Sequence, residues 1–256
     1  MYSFIYYLGR NTIGIIRETG RILILLFQAF VWMALPPYRF KAIVKQMEFV
    51  GVKSVFVVVL TGTFTGMVLA LQSHHGFKIF GAETLVGSTV ALAMTRELGP
   101  VLTALMVNGR AGSAMATELG TMRVTEQIDA LYVMAANPVK YLIVPRIIAG
   151  VIMLPVLTIV SDFLGILGGY FVGVILLDIN SGMFVANIVE YVELEDIFHG
   201  LIKSIFFGLI LTYIGCYKGF YAEGGAEGVG KATTQAVVLS SVLILISDYL
   251  LTSIMF

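Results

Sequence analysis

Five stretches of this chain, at about 52–72, 84–116, 141–177, 198–217 and 236–256, stay apolar over a length that can cross a lipid bilayer. A helix rises about 1.5 Å per residue, so roughly 20 apolar residues match a hydrocarbon layer of about 30 Å. Inside that layer the backbone finds no water, and a spanning segment satisfies its own polar groups as a helix. The chain is therefore expected to be an all-α membrane protein. Its composition agrees: 58% of the 256 residues are hydrophobic and 12% charged, against roughly 25% charged in a soluble domain.

The charged residues between the spans orient them. Residues 1–35 read as amphipathic helix, with Arg10, Arg17 and Arg21 within helical reach of one another and Pro36-Pro37 closing the segment. The apolar run 22–35 is short for a crossing, so residues 1–48 are expected to lie in the cytoplasmic interface, ahead of a five-helix domain at 49–256. Arg39, Lys41, Lys45 and Lys53 place the N-terminus inside, whereas the loop at about 178–196 carries Asp178, Glu190, Glu193, Glu195 and Asp196 with no Lys or Arg. An odd number of crossings puts the C-terminus outside. No signal-peptide cleavage pattern is expected, because Arg10, Arg17, Glu18 and Arg21 interrupt the first apolar residues. The second and third spans are overlong, about 33 residues or roughly 50 Å for the second if straight. They are expected to tilt, or to bend at Gly99-Pro100, Pro145 and Pro155.

Charges at membrane depth mark functional positions by default. Arg96, Glu97 and Asp248 fall near mid-span. Neighbouring residues point about 100° apart on a helix, so Arg96 is expected to pair with a buried carboxylate, Asp248 being the candidate, while Glu97 faces a polar cavity. Asp162 and Lys203 read as nearer the outer ends, within reach of water, and Arg110 as snorkelling at the inner surface. The segment 117–135 is expected to form an amphipathic helix, with Glu118, Arg123, Glu126 and Asp129 among its polar residues and Val124, Ile128 and Leu131 on the opposite stripe. Gly62-x-x-x-Gly66 and the series Gly165, Gly169, Gly173 predict faces where helix backbones approach closely.

Several function classes are disfavoured. The formal net charge is zero, unlike that of a nucleic-acid binder. The one cysteine, Cys216, and the three histidines, His74, His75 and His199, suggest no metal site, and no nucleophile–His–acid arrangement is visible, so neither catalytic residues nor a cofactor is expected. Residues 225–231, Gly-Ala-Glu-Gly-Val-Gly-Lys, match the start of a phosphate-binding loop, but Ala232 stands where a magnesium-binding Ser or Thr belongs and a membrane helix precedes it; a flexible internal loop is expected instead.

Longer motifs carry a family resemblance. Arg96-Glu97-Leu98-Gly99-Pro100-Val101-Leu102, Gly109-Arg110-Ala111-Gly112-Ser113-Ala114, residues 118–131 (Glu-Leu-Gly-Thr-Met-Arg-Val-Thr-Glu-Gln-Ile-Asp-Ala-Leu), Asn137-Pro138, Pro145-Arg146 and residues 228–238 together resemble the MlaE-type permeases. The resemblance spans nearly the whole chain and is weakest at 1–35 and in the acidic loop. It implies the inner-membrane permease subunit of an ABC transporter moving phospholipids between the inner and outer membranes of diderm bacteria, with the C-terminus in the periplasm. It implies a homodimer with lipid at its interface, a separate cytoplasmic ATPase and a periplasmic MCE-domain protein. By motif, 117–135 would be the coupling helix, with Glu118, Arg123, Glu126 and Asp129 meeting the ATPase. Arg96 and Glu97 would lie near the lipid pocket, for which depth and position add Leu69, Phe77 and Phe80. The alternative is a proton-coupled secondary transporter using Glu97 and Asp248, although no internal repeat is seen.

Overall fold

The computed structural model describes residues 2–36 and 39–255. Met1, Pro37, Tyr38 and Phe256 lie outside the described residues, as do the side chains of 2–12 and 15, so the Arg10 face and the expected helix stop at Pro37 are not described. Every regular element among the described residues is helical: α1 Tyr2–Ala34, α2 Phe40–Val50, α3 Val55–Lys78, α4 Val86–Ala93, α5 Gly99–Val107, α6 Ser113–Val124, α7 Gln127–Val133, α8 Val144–Tyr170, α9 Ser181–Tyr191, α10 Leu194–Phe220 and α11 Gly225–Met255. Five stretches are long and apolar enough to cross a membrane, at Phe40–Lys78, Glu83–Val124, Val139–Leu176, Leu194–Phe220 and Gly225–Met255. Large apolar side chains such as Phe56, Phe64, Phe163 and Tyr249 point outward, as they do where lipid rather than water is the solvent.

The two overlong spans contain wide turns. The second passes from α4 to α5 through a π-helical turn at Met94–Leu98, and from α5 to α6 through another at Asn108–Gly112. The third enters α8 from a π turn at Val139–Ile143 and leaves it through one at Phe171–Leu176. Pro100 and Pro145 each stand just beyond such a turn. A proline has no N–H for the carbonyl four residues back, and a widened turn relieves the clash of its ring.

Elsewhere the helices outrun their apolar cores, because a helix continues wherever its hydrogen bonds do. Residues 225–231, expected as a flexible loop, are the opening turns of α11, which follow Gly224 and Gly225 at φ +93° and +68°. This excludes a phosphate-binding loop there. The acidic segment holds a helix that the sequence reading did not find: Asn180 caps α9 by accepting from the Met183 N–H, and Phe184 packs on Gly87 and Gly173. Residues 117–135 are not one helix. The chain turns at Thr125-Glu126, with Glu126 at φ +58°, and α7 is a separate short helix.

Small residues determine how closely the spans approach. A Cβ on Gly66 would overlap the Gly165 carbonyl, one on Gly62 would lie 2.7 Å from Ser161 Oγ, and one on Gly169 would lie 2.8 Å from Val90. Gly165 and Gly169 thus seat α8 against α3 and α4, and Gly173 lies beneath Phe184. On its other side α8 meets α10 through Gly150 and Gly208. α1 packs against α8, the turn that precedes it and α10, with Leu25 and Ala29 buried. Tyr213 donates to the Ile22 carbonyl, and Lys140 Nζ to that of Pro36 at 2.8 Å.

The Gly66→Ala variant should lose about 1–3 kcal/mol of stability by overpacking. Gly76→Ala, in the same helix with nothing within 4 Å of the new methyl, should be neutral or stabilising by a few tenths. Thermal unfolding of both in detergent checks the contrast.

Candidate functional site

The most polar point inside the bundle forms around Lys203, whose side chain is 0% exposed. Its position follows from α10, where Gly200 lets the helix backbone press against Thr95 in the π turn of the second span. One turn on, Lys203 Nζ donates to Glu97 Oε2 at 2.7 Å, to Thr252 Oγ1 at 2.7 Å and to the backbone carbonyl of Arg96 at 3.1 Å. Pro100 cannot return an N–H to that carbonyl, so the ammonium replaces the missing donor. Asp248 Oδ1 lies 3.1 Å from the same Nζ as an ion pair. Thr252 is also within reach of Glu97 Oε1, at 3.2 Å, and of the Asp248 carbonyl, at 2.9 Å. One lysine therefore joins spans two, four and five and faces two carboxylates.

Arg96 does not take Asp248 as its partner. Its Nε and Nη2 both lie 2.6 Å from Asp196 Oδ1, and Asp196 is buried at the start of α10, where its other oxygen accepts from the Glu193 N–H in a capping box. The expected Arg96–Asp248 pair is replaced by Arg96–Asp196 and Lys203–Asp248, because span depth locates a charge along the membrane normal, not around the bundle. Lys203, placed there near water, is buried. Asp162 faces Gly99, where a Cβ would overlap its carboxylate, with its Oδ1 buried. Glu97 does keep one edge open: its side chain is 37% exposed, as is that of Arg96, and that of Asp248 is 20% exposed. Lys203, Asp196 and Thr252 are the site residues missed by the sequence reading. A lysine within an apolar run was the available signal.

The remaining pocket candidates lie apart from this cluster in different settings. Leu69 and Phe77 pack against the smaller apolar core of Ala70, Val86, Val90, Met94, Val172, Ile179 and Phe184, while Phe80 is 82% exposed at the turn after α3.

A second polar group gathers at the other end of the second span. Arg110, half-buried, donates to Ser54 Oγ at 2.7 Å and to the Phe49 and Val50 carbonyls, and lies over the Phe49 ring. Asn108 donates to the Val237 carbonyl at 3.0 Å and to Ser241 at 3.1 Å. Among the residues expected to meet a partner, Glu118 is exposed, and its Oε2 accepts from buried Arg146 Nη2 at 2.7 Å. Arg123 and Asp129 pair at 2.6 Å across the turn at Glu126, holding α6 and α7 as an elbow. Ile128 and Leu131 face the bundle, whereas Tyr132, Val133 and Met134 stand exposed at the tip, Val133 by 89%.

A family profile described as Permease MlaE matches residues 43–254. Among curated proteins, a Rickettsia bellii protein named "Probable ABC transporter permease protein" is 47% identical over 97% of this chain and 96% of its own. One from Synechocystis with the same designation is 46% identical over 83% and 81%. The Haemophilus influenzae "Intermembrane phospholipid transport system permease protein MlaE" is 42% identical over 99% and 98%.

Lys203→Met should destabilise the fold by about 3–5 kcal/mol, the usual result of removing one partner from a buried ionic group. Glu97→Gln in that background should restore part of the loss. A double-mutant cycle on unfolding in detergent measures the Lys203–Glu97 coupling, and strict additivity would deny the pair.

Proposed function

The chain is an ABC transporter permease of the MlaE family, and from that premise we propose that it moves phospholipid between the inner and outer membranes of a diderm bacterium. The observation that carries this reading is the match to the Haemophilus influenzae phospholipid permease, 42% identical over 99% of the chain. In this reading two copies form a homodimer in the inner membrane, with the N-terminus and α1 at the cytoplasmic interface and the C-terminus in the periplasm. A separate ATPase docks on the cytoplasmic side and an MCE-domain protein on the periplasmic side. The lipid sits between protomers near Arg96 and Glu97, with Leu69, Phe77 and Phe80 toward its chains.

The geometry supports a mechanical route. The elbow of α6 and α7 presents Arg123, Glu126, Asp129 and the exposed Val133 and Met134 to the ATPase. α6 is the end of the second span, Glu83–Val124, so a push on the elbow travels along one helical rod toward Glu97. There Lys203 couples that rod to spans four and five, and the three shift together to narrow the lipid site. Glu97, being acidic, repels a phosphate unless its charge is offset; Lys203 offsets it, and Arg96 is the cation beside the opening. The paired carboxylates on one lysine also favour the second reading, a proton-coupled carrier that needs no ATPase.

Affinity purification from the native membrane, with mass spectrometry of bound proteins and lipids, separates the two. An ATPase, an MCE-domain protein and phospholipid should be recovered together; the chain alone, under conditions that keep other membrane complexes intact, would favour the carrier. Val133→Asp should weaken ATPase recovery roughly tenfold or more, the loss expected when an apolar interface anchor is removed, without lowering the yield of folded permease.

A further inference from the structure

A cavity of about 440 Å³ opens between α1, the end of α10 and the start of α11, at the opposite end of the bundle from Lys203. Four basic side chains line it, Arg17, Arg21, Lys218 and Lys231, against two carboxylates, Glu18 and Glu223. Lys218 is held by Glu18 and Lys231 by Glu227. Arg17 and Arg21 make no ion pair among the described residues, and the Arg21 guanidinium lies 5.9 Å from the Tyr221 ring centroid. The opening turns of α11 border the space through Gly228 and Lys231, with the Gly228 N–H already donated to the Gly224 carbonyl at 3.3 Å, so the attraction for an anion rests on the basic side chains.

This cavity does not end in protein. It adjoins an apolar groove of about 510 Å³ between α1 and α11, with Glu18, Lys218 and Gln235 common to both. The groove is lined by Ile22, Val238, Leu239 and Val242. A cationic chamber joined to an apolar trough has the form of an anionic amphiphile, and each part is within the usual size range of a ligand site. A soluble anion would use the chamber and leave the trough empty. A second apolar protein helix would fill the trough but leave Arg17 and Arg21 without an anion.

We infer that the surface between α1 and α11 binds an anionic phospholipid of the surrounding leaflet, its phosphate among Arg17, Arg21, Lys218 and Lys231 and one acyl chain along Val238 and Val242. This site is separate from the lipid path near Glu97 and depends only on the spans lying in a bilayer. A lipid held there pins α1 against the fifth span, so it acts as an annular lipid that braces the N-terminal helix rather than as cargo.

The test uses the full-length chain in phosphatidylcholine nanodiscs containing a trace of phosphatidylglycerol with a diazirine on its acyl chain. After illumination, labelled peptides should map to residues 18–22 and 234–242. Arg17→Gln with Arg21→Gln should reduce that labelling roughly tenfold or more, the effect of two cations near an anionic headgroup, and the corresponding Arg→Lys pair should retain it. Unlabelled phosphatidylglycerol should compete and inorganic phosphate should not. Label confined to other regions of the chain would overturn the inference in the unmodified protein, whatever the variants do. Labelling indifferent to the neutralised arginines, or displaced by inorganic phosphate, would overturn it too. So would a crosslink joining residues 234–242 of two copies, which would assign the groove to a second chain.

Discussion

A single buried ammonium organises the polar interior of this bundle. Removing a lysine from water is costly unless each N–H is satisfied and the charge is balanced. Lys203, on the fourth span, meets both conditions with partners from two others: Glu97 and the Arg96 carbonyl from the second, and Asp248 and Thr252 from the fifth. Pro100 is part of the same arrangement, since it opens the carbonyl that the ammonium closes. Because the partners are not interchangeable, the register of these helices is specified as well as their proximity. The Arg96–Asp196 pair extends the network to the first turn of α10, where Asp196 also caps the helix.

Around that network the bundle depends on the absence of side chains. Among apolar helices in lipid there is little hydrophobic gain in associating, so contact must come from close packing and polar bonds. Gly62 and Gly66 of α3 meet Ser161 and Gly165 of α8, Gly150 meets Gly208, and Gly200 meets Thr95. The last contact brings α10 near enough for Lys203 to reach Glu97. Backbone packing and the charged site are therefore a single construction: the glycines determine the spacing within which the ionic bonds have good length.

The two ends of the molecule have different chemistry. At one, Lys203 and Asp196 are buried and paired, with Glu97, Asp248 and Arg96 partly open. At the other, Arg123, Asp129, Val133 and Met134 project on an elbow beside the basic cavity under α1. The second span, with its two π turns, runs between them. Each π turn coincides with a polar motif, Arg96-Glu97 in one and Asn108–Arg110 in the other, and widened turns of this kind recur at functional positions.

Much of this was legible in the sequence. The apolar runs dictated five helices, because backbone in lipid has no other partner. The glycine spacings marked the faces that pack, and the motifs from Arg96 to Leu131 carried the family. Sequence also identified Arg96 and Asp248 as charges at depth needing partners, and Glu97 as a third charge there, assigned to a polar cavity. It could not say which partners. Periodicity gives the face of a helix, but the rotation of each helix about its neighbours comes from contacts remote in sequence, such as Gly200 on Thr95. Only the tertiary structure therefore decided that Arg96 belongs to Asp196, that Lys203 stands between Glu97 and Asp248, and that Glu118 is engaged by Arg146. It also decided where helices end. Hydropathy falls away where a lipid layer would stop, whereas α11 starts as early as Gly225, the acidic segment folds α9, and the chain breaks at Glu126, as local hydrogen bonds and packing require.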